Sequence, residues 1–245
     1  MAGTRAPRTQ HPRDHGKFSP AAATEGPAAS APPRDARHRV RREPSRARYE
    51  RREAYAILDA AWLGHVAFVR EGQPFVIPML YVRDGDRLLL HGSIASRLQQ
   101  SLGAGIACCV GVTHLDGLVL ARSHFNHSVN YRSVVAFGRA VPIDEPAAKA
   151  AALLRFVDAM LPGRAADSRA ADPQELAATS VLSFEIEDVS AKVRAHGVKD
   201  HAADLELPYW SGVVAARTVY GPAEPADARA AALPMPGYVA ALPSA

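Results

Sequence analysis

From Gly64 onward the apolar side chains fall in short runs or in alternation between polar turns, a period of two that predicts β-structure. His65–Val69, the turn Arg70–Gln73, Pro74–Val82, a second turn at Arg83–Asp86 and Leu88–Leu90 read as three successive antiparallel strands. The Asp84-Gly85 pair marks a tight hairpin. Pro78 lies inside the second strand and cannot donate to a ladder, so it belongs at an edge or a bulge. An edge left open there could receive a planar ligand in place of another strand. Leu98 and Leu102 recur at helical spacing after the polar corner Gly92-Ser93-Ile94-Ala95-Ser96-Arg97, which predicts strand, turn and helix. Ile106–Thr113 reads as a central strand, Leu115–Ala121 as another tight reversal, and Ser128–Ala140 as a long strand. On that strand Asn130 and Arg132 share one face, and Tyr131 and Ser133 the other.

Helical spacing governs two further segments. Ser45 is expected to cap a helix from Arg46 to about Ala61, with Ile57, Leu58, Ala61 and Trp62 as its apolar face. Asp144 is expected to cap a second, with Pro146 in its first turn and Leu153, Leu154, Val157, Met160 and Leu161 buried. Val181–Ile186 alternates as a half-buried strand, Ala191–Arg194 fits an edge strand, and Pro208–Gly212 is expected to be packed. Roughly six antiparallel strands with helices between them suit a mainly β fold with peripheral helices, a small closed barrel.

Charge divides the 245-residue chain unevenly. Thirteen Lys/Arg stand against five Asp/Glu in residues 1–52, so the remainder is net acidic although the whole carries a formal +4. Residues 1–44 hold almost no large apolar side chain and are expected to be a disordered basic tail, 45–221 the folded domain, and 222–245 a loose Pro/Ala-rich tail. The tail lacks interleaved aromatics, so nucleic acid is not an expected partner. No apolar run approaches the ~20 residues of a spanning helix, and no secretory-signal pattern opens the sequence, so neither a membrane nor export is expected. Cys108 and Cys109 are adjacent on a strand and face opposite ways. A mutual disulfide is sterically poor, and the pair reads as core filler in a reducing, cytoplasmic compartment. No zinc-type spacing occurs, and no metal site is expected.

The corner before Leu98 carries the candidate chemistry. Backbone N–H groups, the hydroxyls of Ser93 and Ser96 and the Arg97 guanidinium suit a phosphate, while a serine there can equally be a simple helix cap. Gly-x-Ser-x-Gly, His-Glu-x-x-His and Gly-x-Gly-x-x-Gly are all absent.

Three stretches, taken with the order of elements, carry a resemblance. They are Leu90-His91-Gly92-Ser93 with Ser96-Arg97; Thr113-His114-Leu115-Asp116-Gly117-Leu118-Val119-Leu120-Ala121-Arg122-Ser123; and His127-Ser128-Val129-Asn130-Tyr131-Arg132-Ser133-Val134-Val135 with Phe137-Gly138-Arg139. The chain from about Tyr49 to Val214 resembles the pyridoxamine 5′-phosphate oxidase-like, FMN-binding split-barrel proteins. It is closest to their flavin-nucleotide-binding branch, which is similar to the nitroimidazole-resistance proteins. Val189–Arg194 and Pro208–Gly212 are similar to that branch's C-terminal signature. The resemblance implies a six-stranded antiparallel split β-barrel, a homodimer, and FMN in a groove at the subunit interface. It places Ser93, Ser96 and Arg97 at the phosphate, and Pro78, Met79, Leu80, Tyr81, His91 and Gly92 beside the flavin ring. Asn130, Tyr131, Arg132 and Ser133 line the same groove, from this chain or its neighbour. Leu98 stands where many relatives have a Lys, a loss that Arg132 is expected to offset in part.

Such a protein is expected to be an FMN-dependent oxidoreductase on a small substrate, with hydride transfer at flavin N5 and no side-chain nucleophile. No catalytic residue is assigned; Tyr81, His91 and Tyr131 are the candidates near the ring. Against this, a Tyr in a barrel strand is commonly core with its hydroxyl satisfied. The alternative is a non-catalytic dimer that holds FMN, a deazaflavin or haem, with His114, His124 and His127 as the imidazoles available for haem.

Overall fold

The computed structural model describes residues 37–243. The chain runs through β1 (Ala47–Arg48), α1 (Arg51–Asp59), β2 (Leu63–Arg70), β3 (Gln73–Asp84), β4 (Arg87–Ser93), α2 (Arg97–Gly103), β5 (Ala107–Leu120) and β6 (Ser128–Pro142). It continues through α3 (Pro146–Met160), α4 (Pro173–Ala178), β7 (Thr179–Arg194), β8 (Gly212–Ala215), α5 (Ala228–Ala231) and α6 (Gly237–Ala240). The predicted alternation becomes a ring: β7, β4, β3, β2, β5 and β6 pair in that order, and β6 pairs back to β7. All six pairings are antiparallel. This is the six-stranded barrel, with β1 added to β7 and β8 to β5.

Inward positions of the ring supply one core, including Val66, Leu88, Leu90, Val110, Val134, Ala136, Leu182 and Phe184. Ala54, Ile57 and Leu58 of α1 and Leu98 and Leu102 of α2 join that core. A second core lies outside the wall, where Ala152, Phe156 and Ala159 of α3 cover Val82, Leu89 and Val181.

The barrel is split where β3 and β4 part. They pair only from Tyr81↔Leu90 to Asp84↔Arg87, so Gln73–Leu80 has β2 on one side and, among the described residues, no strand on the other. Pro78 lies on that open stretch, opposite His65 of β2, as its missing N–H requires.

Several expectations are corrected. The first helix begins at Arg51, not Arg46, because Ala47 is buried and pairs with Lys192 on the part of β7 that β4 leaves uncovered. Asp116-Gly117 is not a reversal. β5 runs straight through it with a register shift against β6, and the Asp116 carboxylate is taken by Arg132. A Cβ on Gly117 would meet the Val214 carbonyl oxygen at 2.8 Å, so the glycine admits β8 instead of making a turn. Glu145, not Asp144, caps α3, accepting from the N–H groups of Ala147 and Ala148. Leu154 and Met160 are exposed because Phe156 is the anchor of that helix. Ala191–Arg194 is the end of β7, paired with β6. Trp210 is 69% exposed rather than packed.

Residues 1–36 of the basic tail lie outside the described residues. Arg37 pairs with Asp188, and the Val40 N–H donates to the Tyr49 hydroxyl at 2.9 Å, so the described part of the tail is attached to the barrel. At the other end Tyr238 donates to Asp167 at 2.8 Å and the Tyr220 N–H to the Pro243 carbonyl at 2.8 Å. These bonds secure a segment that its composition alone reads as loose.

Candidate functional site at the split of the barrel

α2 starts where β4 leaves the ring. Ser96 is its N-cap residue but makes no side-chain capping bond, and Ser93 Oγ accepts from the Ala95 N–H at 3.2 Å. Ser93 and Arg97 are exposed. The Arg97 guanidinium has no ion pair or hydrogen bond among the described residues and lies 5.6 Å from the centre of the Phe75 ring. Phe68 stacks with the same Phe75 ring, centroids 5.3 Å apart. Arg70, Glu71, Gln73, Phe75 and Arg97 line a pocket of about 350 Å³. A second pocket of about 340 Å³ continues past Arg70 and Glu71 to Gln100, Ser101, Ala104 and Ile106.

The other proposed site residues take varied positions. Pro78 and Leu80 are exposed on the outer face of β3, while Met79 faces the barrel core. Tyr81 is 2% exposed inside the barrel, and its hydroxyl donates to the Leu58 carbonyl at 2.5 Å. Its side chain is therefore core, and only its backbone is at the wall. His91 turns away from the interior and packs on Phe156 of α3 at 4.3 Å. Burial holds its imidazole below the ordinary value, favouring the neutral ring. Gly92 faces the other way, against the buried Gln99 side chain.

Asn130, Tyr131, Arg132 and Ser133 are not near this corner in the same chain. Ser93 pairs with Thr179 at one end of β7, and Tyr131 pairs with Arg194 at the other. About 50 Å of strand separates those ends at ~3.3 Å per residue. At the far end Asn130 Oδ1 accepts from Arg194, and Ser133 Oγ lies 3.4 Å from the Lys192 carbonyl. Arg132 forms a two-pronged pair with Asp116 at 2.9 and 2.8 Å. It is both engaged and distant, so within one protomer it cannot stand in for the cation missing at Leu98.

Three histidines bear on haem. His114 points into the barrel, with Nε2 3.1 Å from the Ile57 carbonyl, and burial lowers its pKa. His124 and His127 flank the 88% exposed Phe125 in the β5–β6 connection. His127 Nδ1 lies 2.9 Å from the Ser123 carbonyl. With Nδ1 donating there, the Nε2 lone pair is available to a metal. Among the described residues no group of three or more His, Cys, Asp or Glu could hold a metal ion, and no helix is long and apolar enough to cross a membrane.

Arg70, Gln73 and Phe75 escape a sequence reading centred on the Ser93–Arg97 corner. The available signal is Phe75, an aromatic on the inward face of β3 at the end opposite Tyr81.

The family model described as pyridoxamine 5′-phosphate oxidase matches residues 50–193. The flavocytochrome Anf3 from Azotobacter vinelandii is 39% identical with a TM-score of 0.79, over 86% of this chain and 98% of that one. The FAD and haem binding protein from Mycobacterium smegmatis is 36% identical with a TM-score of 0.77, over 81% and 98%. A nitroimidazole-resistance protein of Bacteroides thetaiotaomicron, 20% identical over 59% and 84% with a TM-score of 0.50, shares the fold. No curated protein matches.

Proposed function

The chain belongs to the pyridoxamine 5′-phosphate oxidase family, and on that premise we propose that it is a flavin-nucleotide-dependent oxidoreductase on a small-molecule substrate. In this reading it works as a homodimer and also carries haem. Arg97 carries the flavin part: a guanidinium without a carboxylate partner among the described residues, at the edge of a pocket beside an open strand. Ser93 and Ser96 stand next to it and can donate to the same phosphate. The helix behind them has only seven residues, so the fixed charge of Arg97 matters more than the helix terminus. The unpaired edge at Pro78–Leu80 provides backbone groups for the flavin ring.

The relatives named for a flavocytochrome and for FAD and haem binding support a two-cofactor protein, with FMN or its adenylated form FAD as the flavin. His127 fits the haem, because its anchored Nδ1 leaves Nε2 free. When bound, flavin supplies hydride exchange at N5 and haem iron supplies one-electron chemistry. The chain's own residues bind, orient and exclude water. The homodimer is supported by the outer face of the barrel, where Leu63, Val76, Leu80, Leu115 and Val135 are exposed on adjoining strands. It is also supported by the separation of Arg97 from Asn130–Ser133, which lets a second copy complete the groove. Free Cys108 and Cys109 support a cytoplasmic setting.

The test is the visible spectrum of the purified protein, with the released cofactors identified by mass. Flavin bands together with a Soret band are expected; Arg97→Ala should lose the flavin, and His127→Ala should shift or remove the Soret band. A colourless protein that takes up neither added FMN nor FAD would overturn the oxidoreductase reading. Flavin bands without haem uptake would remove the haem half.

A further inference from the structure

Resting on the reading of a small-molecule oxidoreductase whose groove a second copy completes, we propose that the Arg194 end of β7 holds the acidic group of the substrate. The substrate class is then a small organic acid or phosphate ester, recognised by its anionic oxygens.

Arg194 is 4% exposed, and every partner it has among the described residues is neutral. Its guanidinium donates to Asn130 Oδ1, to the His196 carbonyl at 3.2 Å and to the Gly197 carbonyl at 3.4 Å. The buried Nε has no hydrogen-bond partner among the described residues. The next carboxylate along the chain, Asp200, is taken by Arg122 at 2.7 Å. Further cations gather instead: Arg46 from the turn before β1, and His196 and Lys199 from the loop after β7. Of these, among the described residues, only Arg46 has an acid beside it, Glu43 at 3.3 Å. Burial lowers the His196 pKa, and Arg194, Lys199 and Arg46 lower it further.

A buried cation without a counter-charge is costly, and neutral carbonyls offset only part of that cost. An anionic ligand supplies the missing charge, and the guanidinium fork fits the paired oxygens of a carboxylate or phosphate. Space is present beside it, because a Cβ on Gly197 would meet nothing within 4 Å. Lys199 is exposed at the rim of that opening. The long bond to the Gly197 carbonyl is the one an entering anion exchanges most easily. In the proposed reading the flavin phosphate has its own cation in Arg97, so the charge at Arg194 is left for the substrate.

The test is the thermal midpoint of the full chain as purified, in sodium phosphate and separately in succinate, with ionic strength held constant by chloride. The parent should show a saturable rise of about 3 °C or more at ten times the half-saturating concentration of the anion it recognises. Phosphate acting alone would assign a phosphate ester, and succinate acting alone a carboxylic acid. Arg194→Met should have a midpoint no lower than the parent without anion, because a buried unpaired charge is gone, and should lose the response. Lys199→Ala, at an exposed position, should keep the midpoint and raise the half-saturating concentration about threefold or more. A parent that responds to both anions as it does to chloride, or an Arg194→Met that responds as the parent does, overturns the proposal. If Arg194→Met does not fold, an unchanged half-saturating concentration in Lys199→Ala overturns it alone. Loss of the flavin or Soret bands in folded Arg194→Met would also overturn it, since the cation would then serve a cofactor. Failure of the underlying reading looks different: the protein would be colourless while the anion response, and its loss in Arg194→Met, remained.

Discussion

Tyr81→Phe removes one oxygen atom from the middle of the barrel and separates two roles that a tyrosine on this strand can have. The hydroxyl donates to the Leu58 carbonyl at 2.5 Å from a side chain that is 2% exposed. That carbonyl also accepts from the Ala61 N–H at 3.3 Å and from the Ala60 N–H at the end of α1, so removing the hydroxyl does not strand it. The cost is then that of one exchanged hydrogen bond, about 1 kcal/mol, rather than the ~1–3 kcal/mol of an unsatisfied buried acceptor. In a protein of this size ~1 kcal/mol corresponds to a fall in thermal midpoint of about 2–4 °C. Calorimetry of parent and variant, with the flavin spectrum and affinity measured on the same samples, checks both sides. An unchanged midpoint accompanied by a shifted flavin spectrum or weaker binding would refute the core assignment and bring the hydroxyl to the cofactor.

Gly138→Ala should be far more damaging, because its Cβ would stand 1.8 Å from the Glu185 carbonyl oxygen where β6 and β7 shift register. A loss above ~4 kcal/mol is expected, read as insoluble protein or a collapsed midpoint; a parental midpoint would contradict the closure of the wall there. Burial holds His114 and His91 below their ordinary pKa, so the unfolded chain takes up protons first as pH falls, and stability is full above about pH 6.5 and declines below it. His114→Gln, which keeps a donor for the Ile57 carbonyl, should flatten that decline in a midpoint-against-pH series; an unaltered slope would assign it elsewhere. Burial pushes the Cys108 thiol up to about 12, so alkylation of native protein at neutral pH should leave Cys108 unlabelled in peptide maps, and rapid labelling would contradict its burial. Mixing Arg97→Ala and Tyr131→Ala protomers should restore about a quarter of the flavin sites if each groove draws on two chains, and none if each chain builds its own.

The parts of this molecule that are legible in its sequence are those whose cause is local. The β2–β3–β4 meander follows from alternation and one Asp-Gly turn, and the position of Pro78 follows from its missing N–H. What escapes is fixed by distant partners. Ala47 reads as helix until β7 offers it an unpaired edge, and Asp116-Gly117 reads as a turn until Arg132 across the ladder takes the carboxylate. The candidate site divides along the same line. Arg97 is visible because a polar corner interrupts an apolar run, whereas Arg70 and Phe75 have no such marker.

The opening of β3 away from β4 beyond Tyr81 is what brings Arg70 and Phe75 to Arg97, and it is a property of the whole ring. A closed wall would have used those backbone groups in the ladder. The split leaves them at the surface while α1 and α2 contribute apolar side chains to the same core. The polar corner and the dry core can therefore coexist on one small barrel without a buried charge between them.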